Sequence, residues 1–426
     1  MSNMETESTE AGVAASMPEL APASVLQATA PHTATLFAGI AGVVDPDQLR
    51  THAEVLAASG VLGGAHLTLA YPGSDTSRTL VNEALDLLSY PLPTAEGANS
   101  PWAQTAAAQV ALLTLAADAQ AGTVVLLHSD LGALAPTALR QLASPVLLAR
   151  EADLVMGSYT LGPFDGLLNA SILAPLTRAL YGKRVRFPLA PDLALSPRMA
   201  ARLALSAHSR LRGGGTPVLW PTTVAAGIDA NVTEAPLGIA HPSPAGDMEL
   251  SAVIAQIVGS AFGEMETHAP LWQRIRPAQH GTGFRSVVHA SLHTATPIDT
   301  APMIKSFLLG SRSLQDVWGL VLPPVTLLDL KRLTLLAPDK FRMPDELWVR
   351  IVYDFALGYR LRTINRTHLL GALTPLYLGW VASFINEAAG DPAFDAGARA
   401  EKVARAFEDG KPYLVRRWRW PDRFNP

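Results

Sequence analysis

The chain has 426 residues, no cysteine, and 33 Lys and Arg against 37 Asp and Glu, giving a formal net charge of −4. The lack of cysteine excludes a disulfide framework, thiolate metal sites and thiol catalysis, and it suits a cytoplasmic protein. Because the chain has no basic excess to hold phosphates, we expect no nucleic-acid partner.

The first 33 residues are rich in Ala, Ser, Thr, Glu and Pro and show no apolar periodicity. This composition predicts an acidic, Ala-rich disordered tail. The segment has neither the basic start nor the apolar run of a signal peptide.

Short apolar runs alternate with helical patterns from residue 34 onward. The apolar runs predict strands at 34–44, 65–71 and 123–131. The periodic segments predict helices at 45–62, 78–88 and 102–120. Strand–helix alternation of this kind predicts an α/β domain with a mostly parallel, Rossmann-like sheet, which we assign to residues 34–265.

Polar residues follow the third predicted strand, in the order His128, Ser129, Asp130. Ligands of parallel sheets bind beyond the carboxyl ends of the strands. His128 and Asp130 lie on the same side of an extended chain, so both could reach one divalent cation. The alternative is that Asp130 caps the helix that begins near Pro136.

Residues 159–196 form the most distinctive segment of the chain, in which acidic and basic side chains surround a predicted helix at 172–182. Its candidate site residues are Asp165, Asn169, Arg184, Arg186 and Asp192. Basic side chains close to carboxylates suit an anionic ligand together with an acid–base or electrostatic role. A salt-bridged helix end is the alternative interpretation.

Residues 266–426 contain helical patterns without convincing strands and predict an α-helical C-terminal domain. The uncharged stretch 369–385 is at the lower length limit of a membrane span. A buried helix is the favoured interpretation, and a membrane span is the alternative. Trp272, Trp348 and Trp380 are suited either to the domain core or to a homodimer interface.

The order of these motifs resembles the retaining nucleotide-sugar glycosyltransferases of the glucosyl-3-phosphoglycerate synthase and mannosylglycerate synthase group, which have a GT-A fold. The resemblance covers roughly residues 34–390. It is carried by HSDLGALAP (128–136), YTLGPFDGLLNASILAPLTRALYGKRVRFPLAPDLALS (159–196), GIDANVT (227–233), AHPSP with His241, LWVRIVYDFA (347–356) and ALTPLYLGWVASF (372–384).

The resemblance implies a divalent metal, Mg²⁺ or Mn²⁺, that neutralises charge on the departing nucleoside diphosphate. Carried over to this chain, the metal ligands are Asp130 and His241, with His128 in the place of the first Asp of the family's motif. The implied reaction moves a hexose, with retention, from a nucleotide sugar to a small polar acceptor that is glycerate-like in the family.

The resemblance also implies roles for the remaining candidates. Asp192 would lie near the sugar and the acceptor, and Asp165, Asn169 and Asp229 would shape that pocket. Arg184 and Arg186 would meet a phosphate or carboxylate of the donor or acceptor. Asp75 would replace the polar signature expected after the second strand.

Several positions depart from the family's pattern on the donor side. Besides His128, Gly132 stands where the family has a basic residue, and residues 100–104 lack the family's Lys. These departures support a second hypothesis, a catalytically degenerate glycosyltransferase-like protein that binds a ligand or a partner without transferring sugar.

Overall fold

The computed structural model describes residues 36–42, 46–58, 66–83, 85–92, 101–128, 135–162, 164–212, 218–240, 248–275 and 298–421. All of them belong to one compact unit, Thr33–Pro426. The predicted tail (residues 1–33), Asp130 and His241 lie outside the described residues.

One sheet of eight strands occupies the first half of the described chain. The strands are β1 (Leu36–Ile40), β2 (Leu67–Gly73), β3 (Ser77–Asn82), β4 (Leu85–Pro91), β5 (Val124–Leu127), β6 (Leu154–Thr160), β7 (Leu193–Leu195) and β8 (Val232–Ala240). Their order is β3-β4-β2-β1-β5-β7-β6-β8. β3 runs antiparallel to β4, β7 runs antiparallel to β5 and β6, and the other neighbours are parallel. The carboxyl ends of β1, β2, β5 and β6 therefore share one edge.

Helices cover the sheet and make up the rest of the described chain. They are α1 (Pro46–Ala58), α2 (Pro101–Asp118), α3 (Pro136–Leu147), α4 (Ala174–Tyr181), α5 (Pro197–Arg212), α6 (Pro221–Gly227), α7 (Leu250–Thr267), α8 (Ala269–Trp272), α9 (Ala301–Ser313), α10 (Gln315–Val321), α11 (Pro324–Leu333), α12 (Asp345–Leu361), α13 (Arg366–Gly390) and α14 (Ala396–Arg419). A π-helix, Asn169–Leu173, leads directly into α4, and a 3-10 turn, Pro338–Lys340, precedes α12.

Local sequence signals set several helix ends. The side chains of Asn365 and Asp395 accept backbone N–H groups in the first turns of α13 and α14. Such caps satisfy donors that have no partner within the helix. α4 ends at Gly182, whose φ of 66° suits glycine.

The predicted fold class is confirmed, because a mostly parallel α/β sheet is followed by helices, and no strand occurs among the described residues after Ala240. The helix predicted at 78–88 is wrong, since this segment forms β3 and β4. β4 pairs in parallel with β2, with Leu67 opposite Leu85 and Ala70 opposite Leu88. Pairing with a buried strand thus overrides the local helical pattern.

Buried side chains form two hydrophobic cores, one around the sheet and one among the helices. The helical core extends from Leu167 in the α/β half to Trp418 and includes α4 and α7. It therefore receives side chains from both sides of the boundary predicted between residues 265 and 266, and that boundary stays a prediction.

Trp272, Trp348 and Trp380 are each at most 1% exposed and belong to the helical core. Of the two roles considered for them, the structure shows the core, and a homodimer stays a prediction. Among the described helices, α13 alone is long and apolar enough to cross a membrane, and 78% of its most apolar window is buried inside the protein.

Candidate functional site at the carboxyl edge of the sheet

Asp192 lies at the centre of the edge where β5 and β6 end. Asp192 directly precedes β7. Because β7 runs antiparallel to β5 and β6, its first residue lies at the edge where those two strands end. The carboxylate is enclosed, with 1% of Asp192 exposed. Oδ1 accepts the backbone N–H of His128 at 2.8 Å, and Oδ2 accepts the O–H of Tyr159 at 2.6 Å. One carboxylate thus joins three strands.

The electrostatics of this group follow from its burial. Desolvation raises the pKa of Asp192, and hydrogen bonds from Tyr159 and His128 oppose the rise. Burial, followed by the neighbouring charge of Asp192, raises the pKa of Tyr159 well above its ordinary value. Tyr159 therefore remains a hydroxyl donor at neutral pH.

His128 follows β5 directly, and its backbone is held by Asp192. Its Nδ1 atom is buried and has no hydrogen-bond partner among the described residues. A free imidazole nitrogen is a common metal ligand, so this atom fits the implied metal. The two companion ligands implied by the resemblance, Asp130 and His241, lie outside the described residues. Within the described ranges no three His, Asp or Glu side chains form a metal-binding group.

A pocket with a cavity volume of about 70 Å³ lies beyond the end of β6. Its polar lining consists of Asp165, Asn169, Arg186 and Glu401. Its apolar walls include Leu161, Phe187, Phe384 and Ala400. Apolar walls with a few convergent polar groups are typical of a small-molecule site.

The turn after β6 positions the first two polar groups. Asp165 Oδ2 accepts the N–H of Gly162 at 2.8 Å, and Gly166 has a φ of 65°, which favours glycine. The π-helix that follows places Asn169 in the pocket wall. The Oδ1 atom of Asn169 is buried and has no partner among the described residues.

Arg186 is the cation of the pocket lining. Its backbone N–H donates to Glu234 Oε1 at 2.5 Å. Burial lowers the pKa of Arg186, and the charges of Glu234, Asp395 and Glu401 oppose this effect. Burial in turn raises the pKa of Glu234 to about 6, against hydrogen bonds from the backbone of Arg186 and Phe187.

Glu401 brings α14 into the pocket wall. Its Oε2 lies 2.6 Å from Arg178 Nη1, and its Oε1 lies 3.0 Å from Arg405 Nε. Arg178 also contacts Glu408 at 2.7 Å, and its side chain is 3% exposed. The buried Arg178 therefore ties α4 to α14 behind the pocket.

An aromatic contact connects the pocket with the Asp192 group. The rings of Tyr159 and Phe187 meet edge to face, with centroids 5.1 Å apart. Phe187 lines the pocket, and the hydroxyl of Tyr159 binds Asp192. The two parts of the site are thus in direct side-chain contact.

The structure brings some of the predicted site residues together and separates others. Asp165, Asn169 and Arg186 share the pocket, while Asp192 and His128 meet beside it. Asp75 is exposed just after β2, at the same edge of the sheet. Arg184 is half-buried and is not part of the pocket lining. Asp229 is exposed and precedes β8, which places it at the opposite, amino edge.

Sequence reasoning did not single out Tyr159, Glu234, Phe384 or Glu401. Tyr159 lies in the distinctive 159–196 segment and could have been found there as a strand-end hydroxyl. Glu234 lies on an edge strand, and Phe384 and Glu401 come from helices about two hundred residues away, so no local pattern points to them.

Comparison with known proteins gave matches only among solved structures, since no family model and no curated protein matches the chain. Part of the chain is similar to glucosyl-3-phosphoglycerate synthase from Mycobacterium tuberculosis in complex with Mn²⁺, UDP-glucose and phosphoglyceric acid. The two sequences are 16% identical, and the match covers 54% of this chain and 79% of that chain with a TM-score of 0.36. Another structure of that synthase has 16% identity, covers 54% and 80%, and has a TM-score of 0.35. A mycobacterial protein has 14% identity, covers 55% and 74%, and also has a TM-score of 0.35.

Proposed function

We propose that this chain is a nucleotide-sugar glycosyltransferase that moves a hexose onto a small hydroxylated acceptor. The observation that carries the proposal is the pocket lined by Asp165, Asn169 and Arg186, which lies beside the strand ends where Asp192 meets His128. Ligands of mostly parallel α/β sheets bind at this edge. The same residues belong to the segment in which the sequence resembles retaining GT-A glycosyltransferases.

Asp192 is proposed to position the site. Both of its oxygens are occupied by protein donors, and the carboxylate is closed to solvent. In that state it fixes the end of β5 against β6. Asp165 and Asn169, which line the pocket, are the candidates to touch the acceptor. This arrangement favours catalysis by positioning and charge neutralisation.

The donor side is proposed from the sequence resemblance. A divalent metal, Mg²⁺ or Mn²⁺, would be held by Asp130, His241 and Nδ1 of His128, which has no partner among the described residues. The metal would neutralise the diphosphate of the donor. Asp75 and Arg184 are assigned to the donor on the same basis, whereas Asp229 lies at the opposite edge of the sheet and is not. Retention of the anomeric configuration is part of this proposal and is checked by proton NMR of the product.

A thermal-shift panel tests the proposal. UDP-, GDP- and ADP-hexoses are each added with Mn²⁺, Mg²⁺ or EDTA, since a ligand that binds the native state raises the melting temperature by mass action. We expect a rise of about 2 °C or more with one nucleotide and only with metal. Asp130→Ala should abolish the rise, whereas Asp118→Ala, an exposed carboxylate at the end of α2, should retain it.

The second candidate is a degenerate relative that binds a ligand without transferring sugar. The observation that favours it is His128 at the position of the family's first Asp, which removes a negative charge from the metal site. If no nucleotide raises the melting temperature with either metal, the transferase proposal fails and this candidate replaces it.

A further inference from the structure

The charges around the pocket are predominantly negative. Five carboxylates line it or pair with cations in its wall, and three guanidinium groups and the Lys411 ammonium face them. The carboxylates belong to Asp165, Glu234, Asp395, Glu401 and Glu408, and the guanidinium groups belong to Arg178, Arg186 and Arg405. Among the described residues that line the pocket, Arg186 is the only cation. Its charge already interacts with three carboxylates, so an anionic ligand would compete with Glu234, Asp395 and Glu401 for it.

The pocket offers hydrogen-bond acceptors beside the N–H donors of Arg186 and of the Asn169 amide. Asn169 Oδ1 is buried and has no partner among the described residues, and Asp165 and Glu401 contribute carboxylate oxygens. A buried acceptor left without a donor is costly. Hydroxyl groups supply donors to such atoms, whereas a phosphate dianion or a carboxylate supplies only acceptors.

We infer that the acceptor is an uncharged, hydroxyl-bearing molecule such as a polyol or a sugar, and not a phosphorylated or carboxylated one. This inference rests on the proposed function, because it names the acceptor of that reaction. It departs from the glycerate-like acceptor that the sequence resemblance implies. The apolar walls at Leu161, Phe187 and Phe384 offer contact for the C–H faces of such a molecule.

Matched ligand pairs test the inference by saturation-transfer NMR on the full chain. The pairs are glucose with glucose 6-phosphate, and glycerol with 3-phosphoglycerate. We expect at least one neutral member to bind about tenfold or more tightly than its charged counterpart. Ala400→Leu should fill the pocket and abolish this binding, and Ala398→Leu, on the exposed side of the same helix, should not. Asn169→Ala should also weaken this binding, because it removes the Oδ1 acceptor without filling the pocket.

Two results would overturn the inference: tighter binding of a charged member that is lost in Ala400→Leu, or no binding of either neutral member that depends on Ala400. The nucleotide panel is read separately. Neutral binding at the pocket without any nucleotide shift would support a pocket that prefers uncharged ligands, but it would remove the transferase and with it the acceptor role of that ligand. A metal-dependent nucleotide shift together with preferred binding of the charged members would support the transferase and contradict the inference about the acceptor.

Discussion

The hydroxyl of Tyr159 donates to Asp192 Oδ2 at 2.6 Å, and the ring of Tyr159 packs against Phe187. One side chain on β6 therefore touches both the enclosed carboxylate at the strand ends and the wall of the pocket. Because Asp192 is shut off from solvent, water cannot replace the hydrogen bond that Tyr159 provides.

Tyr159→Phe should lower the free energy of unfolding by about 1–3 kcal/mol, since it leaves one oxygen of a buried carboxylate without a donor. Urea denaturation at pH 7 measures the change. Tyr71→Phe, at a half-buried tyrosine in β2, is the matched control and should cost less than about 0.5 kcal/mol. Equal losses in the two variants would contradict the role given to Tyr159.

Arg78→Ala should lower the free energy of unfolding by about 1–2 kcal/mol, because it removes one partner of a buried carboxylate, although Arg78 itself is 36% exposed and His66 remains as a second partner. Arg78 Nε donates to Asp86 Oδ2 at 2.9 Å, and the side chain of Asp86 is 4% exposed. Burial raises the pKa of Asp86, but Arg78 and His66 outweigh burial and the pKa is lowered. The wild type should therefore be more stable than Arg78→Ala at neutral pH, and this difference should disappear as the pH falls through the pKa of Asp86.

The control for this prediction is Arg332→Ala. Arg332 pairs with Asp329 at 2.9 Å, but its side chain is 68% exposed, so the change should cost less than about 1 kcal/mol. Urea denaturation of both variants at pH 7 and at pH 3.5 provides the comparison. If Arg78→Ala unfolds no more easily than Arg332→Ala, the contribution given to the ion pair of Arg78 with Asp86 is contradicted.

The alternation of apolar runs and helical periods predicted the architecture because both signals are local. Helix α2 runs from Pro101 to Asp118, which nearly coincides with the helix predicted at 102–120. The segment 78–88 was predicted wrongly because its state depends on pairing with β2 and on Asp86, which meets Arg78 and His66 across neighbouring strands. Such pairing has no signature within eleven residues.

The residues of the candidate site also fall into those that a local motif could identify and those that only tertiary contacts bring in. Asp165 and Asn169 are close in sequence and share a wall of the pocket, so a motif could identify them together. Glu234 contacts the backbone of Arg186 because β8 pairs with β6, and Glu401 lines the pocket because α14 packs against α4. The acidic surroundings of Arg186, and with them the preference for an uncharged acceptor, could not be predicted from the motif.

Glu234→Gln should change how stability depends on pH. Burial raises the pKa of Glu234 from 4.5 to about 6, so the folded state binds the proton more tightly than the unfolded state. The proton on Glu234 therefore stabilises the folded wild type below pH 4.5. As the pH rises through about 6, the free energy of unfolding of the wild type should fall by about 1–2 kcal/mol relative to that of the variant. Urea denaturation between pH 4.5 and pH 7.5 measures this difference.

Glu151→Gln removes an exposed carboxylate in the loop before β6 and is the matched control. Its stability should run parallel to that of the wild type over the same pH range. Parallel profiles for the wild type and Glu234→Gln would contradict a raised pKa at Glu234.

Close packing of α14 against α12 should be sensitive to a single methyl group. A Cβ atom on Gly410 would lie 2.6 Å from Val349 Cγ1, whereas a Cβ atom on Gly371, exposed in α13, would meet no atom within 4 Å. Gly410→Ala should therefore lower the free energy of unfolding by about 1–3 kcal/mol through overpacking. Gly371→Ala should raise it by up to about 1 kcal/mol, because alanine is the better helix former.

The same pair of variants tests whether the position of α14 matters to the pocket, because α14 carries Glu401 and Ala400. Shifting α14 away from α12 should weaken the binding of the preferred neutral ligand by about threefold or more in Gly410→Ala, with no change in Gly371→Ala. Urea denaturation and ligand titration by NMR measure the two effects on the same samples. If Gly410→Ala loses stability and binds the ligand as the wild type does, α14 stabilises the helical core without setting the geometry of the pocket.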